Sequence, residues 1–117
     1  MARSKTPLPL IIKLVREQGN KCVWCGKRLE TKNAMPHHYL FKRSDNVPDD
    51  ILHSMENVVV LHHGCHMEHG QTIEMSVRCL KYKVKEKGYN INEWMGALIR
   101  SGRVNHIKAF AGWVEKE

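Results

Sequence analysis

The sequence predicts a single small α+β domain in which helices flank a short β-rich centre stapled by cysteine and histidine side chains. Three observations predict it. Apolar residues recur at helical spacing near both ends, two segments between them have strand character, and Cys/His pairs at two-residue spacing bracket those strands. With 117 residues, 42% of them hydrophobic, the chain can bury one modest core but not two domains around a large substrate cavity. A core of that size calls for extra staples.

The chain divides into a lead-in and helix (1–21), a stapled centre (22–70) and C-terminal helices (71–117). Residues 1–7 are polar and basic, and Pro7 and Pro9 punctuate the start. Ile11, Ile12, Leu14 and Val15 form a short helical stripe that Gly19 and Asn20 stop. His37 to Phe41 and Asn57 to Leu61 read as strands, the second because Val58, Val59 and Val60 are consecutive β-branched residues. Between them Ser44, Asp45, Asn46, Pro48, Asp49 and Asp50 oppose regular structure, while Ile51 and Leu52 can pin the loop to the core.

From about Cys65 the pattern turns helical, with Ile73, Val77, Leu80 and Val84 on one face and Gly88 as the stop. Arg78, Lys81 and Lys85 share a neighbouring face, read as solvated rather than phosphate-bound. Asn90, with Glu93 three residues on, caps a helix through Trp94 and Leu98 towards Gly102, and Ile107, Phe110 and Val114 predict a last one. Cys79 reads as a buried small hydrophobe, and Trp24, Trp94, Trp113, Tyr39 and Phe41 as core and knuckle packing. No internal repeat or second domain boundary is evident.

Charge narrows the function. Nineteen Lys and Arg against twelve Asp and Glu give a net charge of +7, which favours an anionic partner. No apolar run approaches a membrane span, and Leu8 to Val15 lacks the cleavage site of a signal peptide, so a soluble intracellular protein is expected. In a reducing compartment four cysteines point to metal before disulfides.

Cys22-Val-Trp-Cys25 places two thiolates on a tight knuckle, and His62-His63-Gly64-Cys65 supplies a second pair at the same spacing. Cys22, Cys25, His62 and Cys65 then form a closed, structural zinc site. A redox role for the CxxC is the competing reading; the pair follows a Gly-Asn turn rather than a strand of a βαβ unit, which favours zinc. Tying residue 22 to residue 65 would fix a segment too polar to hold itself by burial.

Inside that bracket lie His37 and His38, neighbours on a strand that project to opposite faces, so one suits a metal and the other a different task. Asn57 opens the next strand, and His66 and His69 follow on the helix. This order, with HHYLFKRS at 37–44 and NVVVLHHGCH at 57–66, resembles the HNH endonuclease family, and within it the small phage and bacterial members that carry a zinc-knuckle pair. The resemblance covers about residues 22–70.

It implies a zinc-stapled, treble-clef-like ββα-metal core with flanking helices, and metal-dependent hydrolysis of DNA phosphodiester bonds to 5′-phosphate and 3′-hydroxyl products. Carried across, His38 is the general base, His37 and His66 ligate a catalytic divalent ion, and Asn57 holds the strands in register. His69 is a further candidate ligand, one position short of where some relatives place a third histidine. Many relatives have Asp at the place of His37 and Cys at that of His62. The first change favours Mn²⁺, Ni²⁺ or Zn²⁺ over Mg²⁺.

Lys42 and Arg43 follow the catalytic strand and are read as phosphate contacts, making DNA the partner. One ββα unit cuts one strand at a time, so monomer and homodimer are both compatible, and the cytoplasm of a bacterial or phage-infected cell is the expected location. There is no HExxH protease motif, the local string being His66-Met67-Glu68-His69, and no phosphate-binding P-loop. The rival reading is a non-catalytic zinc-stapled DNA-binding module of the same shape.

Overall fold

The computed structural model describes residues 6–42, 45, 47–70 and 72–104. Arg43 and the helix expected around Ile107, Phe110 and Val114 lie outside the described residues. The domain is α+β, with a two-stranded antiparallel sheet and five α-helices among the described residues.

Helix α1 (Leu8–Glu17) starts behind Pro7, whose fixed φ suits a helix start, and ends where Gly19 and Asn20 adopt positive φ. Strand β1 (Ala34–His38) pairs with β2 (Val58–His62), placing His37 opposite Val59 and His38 opposite Val58. Both faces of β2 are covered, which explains its unbroken apolar run. Val58 and Val60 pack with Leu14, Val15 and Leu29, whereas Val59 and Leu61 join Tyr39, Phe41, Met75, Leu80 and Met95. A side chain completes the sheet. The Gln18 amide accepts from the Val60 amide at 2.8 Å and donates to the Val60 carbonyl at 2.9 Å, filling the edge position of a missing third strand.

The first strand ends three residues earlier than Phe41, where the sequence places its end. Beyond His38 the backbone finds another partner: the Asn57 side chain takes the amides of Leu40 and Phe41 and donates to the Phe41 carbonyl. The predicted loop also contains a short helix, α2 (Asp49–Leu52), started by Pro48 and favoured by acidic residues in its first turn. Ile51 and Leu52 are buried, as their apolar character requires.

The helical stretch after β2 is two helices, α3 (His63–His69) and α4 (Ile73–Lys81), because Thr72 caps a new start by accepting from the Met75 amide. That restart shifts the inward face. Met75, Ser76, Cys79 and Leu80 are buried, while Ile73 is 60% exposed and Val77 only half-buried. The face proposed from Ile73, Val77, Leu80 and Val84 is therefore corrected by nearly a quarter turn.

Helix α4 runs on as a π-turn (Tyr82–Glu86), which carries Lys83 inward, fully buried, to the Glu17 carboxylate at 3.0 Å. Tyr89 donates to the same carboxylate, and the Lys83 ammonium lies over its ring at 4.7 Å. Burial lowers the Lys83 pKa, with Glu17 opposing. This pair ties the end of α1 to the π-turn. Helix α5 (Ile91–Arg100) is capped by Asn90, whose side-chain oxygen accepts from the Glu93 amide.

Candidate metal centres and the histidine cluster

The knuckle forms because Gly26, at φ +73°, lets the chain reverse, with the Gly26 amide donating to Cys22 and the Cys22 amide to Lys27. Cys22 and Cys25 thereby face His62, at the end of β2, and Cys65, in the first turn of α3. The four donor atoms all lie within 4.8 Å of one another, the only such group of three or more His, Cys, Asp and Glu among the described residues. No disulfide joins the four described cysteines.

His62 is oriented from behind. Its Nε2 donates to the Arg28 carbonyl at 2.7 Å, which puts the lone pair on Nδ1, 3.1 Å from the Cys25 sulfur. Three thiols crowded together cannot all ionise unaided. Burial opposes ionisation of Cys25, but the Lys27 amide, His62 and the neighbouring thiols outweigh it and bring that pKa down to about 7. Burial and the Cys22 charge push Cys65 up to about 12. A divalent cation would relieve this conflict, and Cys3His is a donor set that suits a tetrahedral ion such as zinc.

The second cluster has different chemistry. His37 is 4% exposed, and its ring lies edge-on to that of His66 with centroids 5.3 Å apart. His37 Nε2 and His66 Nδ1 are both buried without a hydrogen-bond partner among the described residues. Such atoms cost about 1–3 kcal/mol each when left unpaired, and two on neighbouring rings form a donor pair that could hold a ligand. Burial, then the charges of His66, Lys42 and His38, lowers the His37 pKa to about 4; burial, with His63, lowers that of His66. Both imidazoles therefore stay neutral at pH 7, the form that binds a metal.

Asn57, fully buried, makes four hydrogen bonds: from the Leu40 and Phe41 amides, and to the Phe41 and Leu52 carbonyls. Its place in the fold is that of a clamp. His38 Nε2 lies 3.2 Å from His53 Nδ1, a partner the sequence reading did not single out.

His69 is not drawn to the His37–His66 pair. Its ring stacks on Trp24 at 4.4 Å and its Nε2 lies 3.7 Å from the Glu68 carboxylate. The backbone amide of Lys42 is held by the Asp45 carboxylate at 2.7 Å. Arg78, expected to be solvated, lies over Trp24 at 4.8 Å and donates to the Val23 carbonyl. Cys79 is buried, and burial raises its thiol pKa strongly. A cleft of about 590 Å³ opens between the end of α1 and the π-turn, lined by Arg16, Glu17, Lys21, Tyr82 and Lys87 but by none of the histidines.

No helix among the described residues is long and apolar enough to cross a membrane. No family model matches the chain, and comparison with curated proteins and with solved structures gives no match.

Proposed function

We propose that this chain is a metal-dependent endonuclease of the HNH type, which hydrolyses DNA phosphodiester bonds and leaves 5′-phosphate and 3′-hydroxyl ends. The observation that carries the reading is the pair of orphaned nitrogens on His37 and His66, with His38 adjacent in the chain and Asn57 clamping the segment that follows the strand of His37 and His38. His37 and His66 would hold a divalent ion through neutral imidazoles. Bound there, the ion supplies positive charge to the scissile phosphate and the departing 3′ oxygen. With two nitrogen donors the pair favours Mn²⁺, Ni²⁺ or Zn²⁺ over Mg²⁺.

His38 accepts the proton of the attacking water, a task suited to an imidazole near neutral pH. Lys42 and Arg43, next along the chain, supply cations for the DNA backbone, in keeping with the net charge of +7. Cys22, Cys25, His62 and Cys65 hold a structural zinc that keeps β2 and α3 in place.

The test is nicking of supercoiled plasmid across Mg²⁺, Mn²⁺, Ni²⁺ and Zn²⁺, comparing wild type with His38→Ala. Loss of a general base should lower the rate about 10²–10⁴-fold while zinc content and melting temperature persist. Equal nicking by the two proteins, or none by wild type with any of the four ions, overturns the proposal. Retained DNA binding without nicking would instead favour the non-catalytic module.

A further inference from the structure

His53 lies at the C-terminal end of α2, its amide donating to the Asp49 carbonyl at 2.9 Å. Its ring stands 5.3 Å from that of His38, inclined at 58°, with His53 Nδ1 3.2 Å from His38 Nε2. Both residues are half-buried, and they come from separate elements fifteen positions apart.

Asn57 builds this contact. Its side-chain nitrogen donates to the carbonyl of Leu52, the residue before His53, and also to that of Phe41. Its oxygen accepts from the amides of Leu40 and Phe41, just beyond His38. One buried amide thus holds both chain segments that carry the two rings.

A hydrogen bond between two neutral imidazoles needs one N–H and one lone pair. If His53 Nδ1 kept the hydrogen, His38 would carry its own proton on Nδ1 and have its Nε2 lone pair engaged, leaving nothing to accept a proton from water. In the opposite arrangement His38 donates its Nε2–H to His53, and the His38 lone pair lies on Nδ1.

We propose that His53 is a positioning residue that accepts the His38 Nε2–H, fixing the ring and its tautomer so that His38 Nδ1 is the atom that takes the proton from water. This rests on the nuclease reading above. In the step, an O–H bond of water breaks and its proton forms the new Nδ1–H bond. The hydroxide oxygen bonds to phosphorus, the bond from phosphorus to the 3′ oxygen breaks, and that oxygen gains a proton from solvent. The imidazolium so formed keeps its second N–H on His53, the arrangement by which an oriented partner supports a base.

Nitrogen-15 NMR of histidine-labelled protein reads the tautomer directly. His38 should carry its proton on Nε2 in wild type and in His53→Asn, whose amide oxygen can stand in for Nδ1, but become a tautomer mixture in His53→Leu. Plasmid nicking should fall about 10–100-fold in kcat in His53→Leu, with KM for DNA nearly unchanged, and recover in His53→Asn. A His38 proton on Nδ1 in wild type overturns the proposal. So does nicking that is lost in His38→Ala but untouched in His53→Leu, which would leave the nuclease reading intact. Equal nicking by wild type and His38→Ala would overturn both.

Discussion

Residues 62–66 feed two clusters that are held together in opposite ways. His62 and Cys65 go to the sulfur group, while His66, the next residue along α3, goes to the histidine pair; successive helical positions diverge by about 100°, so one turn serves both. The sulfur group has four converging donors of which only Cys22 is buried, Cys25 being exposed and His62 and Cys65 half-buried. The histidine pair has two donors, yet it stands against a sheet covered on both faces and beside the Asn57 clamp. The sulfur group would take its shape from a bound ion, whereas packing supplies the shape of the histidine pair.

The strongest way to break that contrast is to remove the donor side chains of each in turn. Cys22→Ser with Cys25→Ser should abolish tight zinc binding, and a structural zinc is worth about 10 kcal/mol or more, comparable to the whole stability of a small domain. The double variant should therefore show no cooperative melting transition by circular dichroism and no bound zinc. His37→Ala with His66→Ala should still melt cooperatively with one zinc per chain. If the serine variant melts like wild type, or the alanine variant fails to fold with zinc present, the division of labour is wrong.

A smaller effect sharpens the description of the histidine pair. The His37 imidazole accepts a proton at about 4 in the fold against 6.5 in the open chain. A pKa lowered by folding means that the unfolded chain binds the proton first as the medium acidifies. His37 costs nothing above pH 6.5, destabilises progressively below it, and reaches its full penalty of about 3 kcal/mol near pH 4. Thermal melts from pH 8 to pH 5 should show wild type losing more stability than His37→Gln, the difference between the curves removing acid effects common to both. Parallel curves would mean that His37 is not buried as a neutral base.

Most of the sulfur group was legible in the sequence, because ligand spacing is a local property: CxxC and HxxC each fix a knuckle without reference to the rest of the chain. The pairing of His37 with His66 came from the ordered resemblance. The strand end at His38 was not legible, since Tyr39, Leu40 and Phe41 have good strand propensity, and Leu40 and Phe41 leave the ladder only because the Asn57 side chain, 17 and 16 residues further along the chain, takes over their backbone groups. His53 was missed for the same reason. Its partner lies across a loop of Asp, Asn and Pro, and the one available signal was a histidine in neither cluster, just after the apolar Ile51 and Leu52 that anchor it. The inward face of α4 was misread because Ile73 and Val77 offered an apolar stripe at helical spacing, whereas the face that packs inward includes the polar Ser76 beside Met75, Cys79 and Leu80.

The smallest expected effect concerns a ladder that braces the sulfur group. Trp24 sits between the knuckle cysteines, stacks on His69 at 4.4 Å, and carries the Arg78 guanidinium above its ring at 4.8 Å. His69 lies one turn beyond His66, so the ladder braces the knuckle against both α3 and α4. An exposed cation–π contact is worth about 0.5–1 kcal/mol, which in a domain of this size lowers the melting temperature of Arg78→Ala by about 4 °C. Arg78→Lys should fall between the two, because an ammonium keeps the charge but neither the flat stack on the indole nor the Nε–H bond to Val23. Zinc transfer to a chromogenic chelator should quicken in the same order, from wild type through lysine to alanine. If the three proteins melt together and release zinc at one rate, the knuckle is held by its ion alone.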